Sequence, residues 1–431
     1  MSDARPAMAG VAASSVVSAA ATWGALVVVG RYLGPGEYAE FMVLWGAFFA
    51  ATGVLAGLQQ EVTRSVAQAT TAATEANGAP PLLGSTLVGV AGAALLVVSA
   101  PAWGPLVLGE DWVRVSLVLA IGFLGYAVAN FVTGTLAGTG SWSSYSLSIV
   151  LEGLIRAAFV ITVVLLGSSE VGWALALLSG MLGWVVLLLV SRAARQTSRQ
   201  PAADSLGGFL SRSTQAVVAA GCSALAVAGF PVLMSATSDG PLTAEAGVVL
   251  AVVVCTRAPL LLLLSFQGPL IRRFVMQRHQ GLRNLLLPVS SAGGLVVALS
   301  ALSYVVGPPL MRLVFGSDFD PSPQFVALAV LGAGLLGGLV ITGWLALVRG
   351  QHTAFALGWL VTSGATAVLL AAPLDVEARS ALALLIAPVV GGAVHLGALW
   401  SAGRGASPAK VSSARDSSRS DAGPTDERAA D

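Results

Sequence analysis

Apolar residues in this chain run in blocks of about twenty, joined by short polar segments, and a chain built this way has few folds open to it. About twenty helical residues cross the ~30 Å of hydrocarbon in a bilayer. Twelve such blocks can be read, at about residues 8–30, 39–59, 82–101, 113–135, 146–167, 171–190, 213–236, 244–268, 285–306, 323–348, 354–373 and 380–400. None alternates with a period of two, and each is too long for a barrel strand. The pattern predicts an all-α polytopic membrane protein of about 12 transmembrane helices. Composition points the same way. Hydrophobic residues make up 56% of the 431 positions and charged residues 10%, where soluble proteins carry roughly 25% charged residues. So few charges exclude a soluble enzyme, a disordered chain and a nucleic-acid binder, and a net charge of +1 gives no global field to attract one.

The joints are short, the longest being 60–81 and 191–212. The tail, 401–431, is rich in Ser, Ala, Arg and Asp without apolar period, and reads as disordered. The first block is too long for a signal-peptide core and reads as a retained helix. Cationic residues are unevenly shared between the two sets of joints. One set carries Arg5, Arg64, Arg192, Arg195, Arg199, Arg212, Arg272, Arg273, Arg278, Arg283, Arg349 and the tail cations; the other carries Arg31, Arg114, Arg312 and Arg379. Cytoplasmic loops hold the excess of Arg and Lys, so both termini are expected in the cytoplasm. Cys222 and Cys255 fall inside blocks and read as small buried hydrophobes, with no disulfide framework or metal site.

The two halves share landmarks at nearly one offset. Gly34-Pro35 recurs as Gly240-Pro241, Leu106–Trp112 as Leu313–Phe319, and the turn at Gly138-Thr139-Gly140 as that at Arg349-Gly350-Gln351. Six spans per half makes these parallel repeats: residues 1–200 as one six-helix lobe and 201–400 as another, around a central cavity. That is a transporter plan, with a substrate site between the lobes.

A charge at membrane depth costs at least ~2.5–3.5 kcal/mol, so each needs a reason. Glu152 and Arg156 lie four apart in the fifth block and can pair on one helix face. They either fix lobe packing or present Arg156 to a wet cavity. Arg257, midway along the eighth block and followed by Pro259, has no acid within a turn of its own helix. Its partner is an anionic ligand, water, or an acid on another helix such as Glu61 or Glu152. Gln59, Glu61 and Arg64 close the second block, as a helix-end ion pair or an inner cavity mouth. Arg31 ends the first, snorkelling outward or lining a cationic vestibule. Asn130 and Gln267 read as interhelical hydrogen-bonders before ligand groups, and His395 as a packed histidine before a proton relay. Buried arginines thus outnumber buried acids, and the guanidinium fork suits phosphate or carboxylate. An anionic substrate follows; a cation exporter would need an unpaired acid, for which Glu152 is the candidate.

Absent chemistry narrows the function further. There is no G-x-x-x-x-G-K-[ST], H-E-x-x-H or G-x-S-x-G, so no ATPase, metalloprotease or hydrolase signature. The reading is a transporter rather than an enzyme, needing no cofactor and driven by an ion gradient, the membrane potential or the substrate gradient. Two other classes were weighed. A glycosyltransferase would use the outer acids Glu110, Asp111, Asp318 and Asp320, but these sit at equivalent repeat positions, which favours a duplicated loop. A scaffold would use the basic inner joints to hold anionic lipid or an enzyme.

Arg31-Tyr32-Leu33-Gly34-Pro35-Gly36-Glu37-Tyr38, followed by Gly57-Leu58-Gln59-Gln60-Glu61-Val62-Thr63-Arg64, resembles the start of bacterial Wzx-type polysaccharide flippases, in the multidrug/oligosaccharidyl-lipid/polysaccharide exporter superfamily. Ala137-Gly138-Thr139-Gly140 with Leu151-Glu152-Gly153-Leu154-Ile155-Arg156 is similar to their region between spans 4 and 5, Arg257-Ala258-Pro259 to span 8, and Val314–Phe319 to the loop between spans 9 and 10. The resemblance covers about residues 8–400. It implies alternating access of two six-helix lobes in the bacterial inner membrane. The cargo it implies is a lipid-linked oligosaccharide on undecaprenyl pyrophosphate, moved from the inner to the outer leaflet for surface polysaccharide synthesis. Arg156 and Arg257 would hold the pyrophosphate or acidic sugars, with Arg31 and Arg64 in support and Glu152, Glu61, Gln59 and Asn130 as polar or coupling groups. Membrane lipids and glycosyltransferases or a polymerase of the same pathway would be its partners. The sequence departs from the family in having few lysines and aromatic residues in its spans. A cation-coupled drug antiporter of the same superfamily is the alternative.

Overall fold

The computed structural model describes residues 4–71, 81–167, 169–201, 203–265 and 283–405. Gln267, Arg272, Arg273, Arg278 and the tail from 406 on lie outside the described residues. Among the described residues every regular element is helical. Nine helices among the described residues are long and apolar enough to cross a membrane, or ten with one bent pair counted as a span, and the chain is a multi-pass membrane protein.

All twelve apolar blocks fall on helices. The first two share α1 (Ala4–Gly53), which turns at Gly34. There φ is 71°, which suits glycine, and the next residue is Pro35, which has no N–H for the helix ladder. Helix α2 (Leu55–Thr71) continues the second arm. Then come α3 (Pro81–Val107), α4 (Trp112–Gly138) and α5 (Trp142–Leu166). The sixth block is α6 (Glu170–Leu178) and α7 (Leu182–Val190), joined by a 3-10 turn over Ser179–Met181. A short α8 (Arg192–Arg195) leads to the second half.

The seventh block departs from its expected continuous helix. It is two pieces, α9 (Leu206–Ala228) and α10 (Phe230–Ala236), bent by 75° at Gly229. The cause is local. Pro231 has no N–H to give the carbonyl of Val227 four residues back, and a Cβ at position 229 would lie 2.4 Å from the Leu225 carbonyl oxygen. The remaining helices are α11 (Ala244–Ser265), α12 (Arg283–Phe315), α13 (Pro323–Val348), α14 (His352–Leu370) and α15 (Val376–Gly405).

The helices form two lobes. In the first, α1 packs on α5, α3 on α4, and α2 on α4; in the second, α12 packs on α13, and α13 and α14 on α15. The repeat read from sequence has a backbone counterpart. Each paired landmark carries a glycine of positive φ in both copies: Gly34 (71°) with Gly240 (127°), Gly109 (64°) with Gly316 (116°), and Gly140 (73°) with Gly350 (75°).

The lobes meet along α1–α2 against α9 and along α1 against α11. At two positions the first seam brings glycine backbone directly against the opposite helix. A Cβ on Gly57 would fall 2.2 Å from the Ala216 carbonyl oxygen, and one on Gly53 would fall 2.8 Å from Ala224 Cβ. Close backbone contact of this kind is how helices associate in lipid, where the hydrophobic effect offers no help. Near the α1 corner the lobes share aromatic packing, with Tyr38 edge-on to Phe315 and Phe319 at 5.9 and 5.6 Å between centroids. Exposed Leu95, Val98, Leu165, Leu166, Leu189, Val305 and Val368 give the outer surface its apolar character, as a lipid-facing belt requires.

Candidate functional site: two arginines and an interlobe cavity

Arg156 sits on α5 at 5% exposure, inside the first lobe. Its Nη2 donates to Glu152 one turn earlier and to Tyr126 Oη at 2.7 Å, and its Nε donates to the Leu177 carbonyl at 3.3 Å. The guanidinium also lies over the rings of Phe49 and Phe48, at 5.0 and 5.7 Å from their centroids. Opposite charge, hydroxyl, carbonyl and ring faces together compensate its transfer from water. Glu152 keeps 43% side-chain exposure, so the pair is buried at its cationic end and exposed at its anionic end.

Arg257, on α11 in the second lobe, is surrounded differently. Its Nη1 donates to the Val227 carbonyl, and its guanidinium lies 5.4 Å from the Phe230 ring centroid. Among the described residues no carboxylate pairs with it, neither Glu61 nor Glu152 included. The Val227 carbonyl is the one that Pro231 leaves without its helical donor, so Arg257 supplies the missing hydrogen bond at the break between α9 and α10. Beside it lies a pocket of about 20 Å³, lined by Ala226, Phe230, Thr256, Thr362, Thr366 and Pro388 among others. On this measure it has room for about one water.

The other candidates tie elements together. Arg31 donates at 2.7 Å to the Val314 carbonyl and also to that of Leu313, capping the C-terminus of α12 from the first lobe. Arg64 binds Glu61, with Nε–Oε2 at 2.8 Å, and also Asp204 and Gln68. Asp204 in turn accepts from Arg212 of α9 at 2.7 Å and from Ser65 at 3.3 Å, so one carboxylate bridges α2 and α9. Gln59 donates to Tyr145 Oη at 3.3 Å, and Asn130 to the Tyr126 carbonyl at 2.8 Å. His395 is fully buried, 3.1 Å from both Thr342 Oγ1 and the Phe355 carbonyl. The four arginines are not brought to one place.

A cavity of about 670 Å³ opens between the lobes beside the α1 corner. The first lobe contributes the Leu33–Leu44 region, the end of α3 and the start of α6; the second contributes Ser235, Ala236, Ser238 and the Gly240–Leu242 turn. Its titratable lining is entirely acidic: Glu37, Glu40, Glu110 and Glu170. None of these four forms an ion pair among the described residues. Sequence reasoning looked for charges near span centres, and so missed Glu37, Glu40 and Glu170, which sit at or just outside span ends. The signal available was that these ends share one side of the membrane in the sequence reading. Ser235 Oγ donates to the Leu106 carbonyl at 3.2 Å, joining α10 to the end of α3 at the edge of this cavity.

No protein-family model matches the chain. It is 35% identical to the uncharacterized protein Rv3630 of Mycobacterium tuberculosis over 396 residues, 91% of each chain. To the uncharacterized protein Rv1510 of the same species it is 34% identical over 399 residues, 92% of each. Among solved structures, an inward-facing multidrug resistance MATE family transporter of the MOP superfamily gives a TM-score of 0.70 at 15% identity, over 90% of this chain and 96% of that one. An outward-facing MATE transporter gives 0.62 at 16%, over 92% and 95%. A MOP superfamily transporter from Pyrococcus furiosus, described as having a binding pocket of reverse polarity, gives 0.57 at 16%, over 90% and 94%. The fold is therefore the two-lobed fold of MATE transporters.

Proposed function

The chain belongs to the same family as these mycobacterial proteins, and on that footing we propose that it is a Wzx-type flippase. It moves an oligosaccharide linked to undecaprenyl pyrophosphate from the inner to the outer leaflet for cell-surface polysaccharide synthesis. The two lobes, residues 1–200 and 201–400, alternate access to the two faces of the bacterial inner membrane, with both termini in the cytoplasm. The observation that carries this reading is Arg257: a guanidinium in the second lobe with no carboxylate partner among the described residues. Its fork leaves donors for pyrophosphate oxygens, and charge-assisted bonds of that kind are about twice as strong as neutral ones. The fold similarity to transporters caught facing each side supports alternating access. Glycosyltransferases or a polymerase of the same pathway are its expected partners.

The deciding measurement is the leaflet distribution of lipid-linked glycans after deletion of the gene in its host. Accumulation on the inner leaflet with loss of a surface polysaccharide is expected. An unchanged pool and surface would refute the flippase reading.

A second reading is favoured by the acidic cavity. Four glutamates without cationic partners among the described residues suit a cation better than a pyrophosphate. In that reading the protein is a cation-coupled antiporter. Glu40→Gln with Glu170→Gln would then abolish transport, whereas a flippase that uses Arg257 tolerates the pair.

A further inference from the structure

The break in the seventh span, the arginine beside it and the α10–α3 contact at the edge of the interlobe cavity lie along one continuous stretch of structure. Arg257 holds the Val227 carbonyl at the end of α9. Residues Gly229 and Pro231 make the bend. Then α10 runs seven residues to Ser235 and Ala236, which line the interlobe cavity, and Ser235 Oγ holds the Leu106 carbonyl of the opposite lobe. The half-helix leans on the first lobe at its start as well. A Cβ on Gly46 would lie 3.2 Å from Pro231 Cδ.

We propose that Arg257 is the positioning residue of this break, and that an anionic group arriving at Arg257 releases α10 and so parts it from the Leu106 carbonyl at the edge of the cavity. This rests on the assignment of Arg257 to pyrophosphate. Two physical points carry it. The pocket at Arg257, about 20 Å³, admits about one water and no pyrophosphate, so binding must displace lining residues. Two of those lining residues, Ala226 and Phe230, flank the bend itself. The second point is competition for the guanidinium. The bond between Nη1 and the neutral Val227 carbonyl breaks as one to a charged phosphate oxygen forms. The second pairs opposite charges where the first pairs a charge with a dipole, so the anion wins the exchange. Without its donor the Val227 carbonyl no longer fixes the bend, because Pro231 cannot replace Arg257 as a donor. A swing of α10 about Gly229 then moves Ser235 away from Leu106.

The test uses the full chain in nanodiscs, with Cys222→Ala and Cys255→Ala removing the native thiols and Ser235→Cys with Leu106→Cys reporting the α10–α3 contact. Inorganic pyrophosphate is the probe; its binding is measured by calorimetry and the contact by the rate of cross-linking. Pyrophosphate is expected to slow cross-linking at least about fivefold, the low end of ordinary coupling between sites. Pro231→Ala restores an N–H to Val227. In that variant pyrophosphate still binds, but cross-linking no longer responds. Binding with an unchanged cross-linking rate in the Pro231 chain overturns the coupling while leaving Arg257 as the anion site. Absence of binding overturns both. A Pro231→Ala chain that responds like its parent shows that the Val227 carbonyl is not the switch, and overturns the proposal.

Discussion

Arg156 and Arg257 are both guanidinium groups inside a helix bundle, yet the two lobes treat them in opposite ways. The first lobe surrounds Arg156 with a carboxylate, a phenol, a carbonyl and two ring faces. Among the described residues, the second gives Arg257 a carbonyl and one ring. A charge compensated from every side is part of the packing. A charge compensated by a single neutral acceptor is poised to take a better one. The neighbours, not the residue type, set the two arginines apart.

The largest effect expected from this contrast is on transport. Arg257→Ala should abolish it while the protein still accumulates in the membrane, as read by surface glycan and immunoblot; normal glycan in that strain would erase the distinction between the arginines. Arg156→Ala should act on stability instead. Breaking a buried ion pair costs about 3–5 kcal/mol, and the exposure of Glu152 places this one at the lower end. The measurement is the thermal unfolding midpoint of the purified protein, and an unaltered midpoint would show that Arg156 is not a packing element. Third, Gly57→Leu should prevent the lobes from closing on each other, since even a Cβ there meets the Ala216 carbonyl at 2.2 Å. Loss of transport with a lowered midpoint is expected, and a fully active variant would mean that the seam opens more widely than its backbone contact suggests. The smallest effect is expected at Asp204→Asn. Its partner Arg64 is 31% exposed and Arg212 is 51% exposed, so the change should lower stability by no more than about 1 kcal/mol. A larger loss would promote this bridge to a main fastening between lobes.

Much of the fold was legible because the bilayer imposes length and polarity on every span. Twelve apolar blocks became helices, and the offsets between Gly34 and Gly240 and between Gly109 and Gly316 became matched backbone corners. The bend at Gly229 was not read, although Gly229 and Pro231 stood in the sequence, because a block's mean hydropathy does not register a missing N–H. The candidate residues were found by type, but type does not give the neighbour on another helix. Nothing in the order of residues says that Arg31 meets the end of α12, that Arg64 reaches Asp204, or that Glu37, Glu40, Glu110 and Glu170 surround one cavity. Those contacts join residues far apart along the chain.

The seam at Gly53 and Gly57 has a mechanical consequence. Where side chains interlock, one surface must climb over the other to move, and the motion has preferred stops. Backbone lying against backbone, with Ala224 opposite Gly53 and Ala216 opposite Gly57, offers few teeth. Such a contact behaves as a smooth bearing, holding two bodies close while setting no angle between them. The stops must then lie at the rims, where Arg31 grips the end of α12 on one side and Asp204 holds Arg64 and Arg212 on the other. In the proposed alternating access, a plain pivot with two catches can be tuned at the catches without re-cutting the pivot.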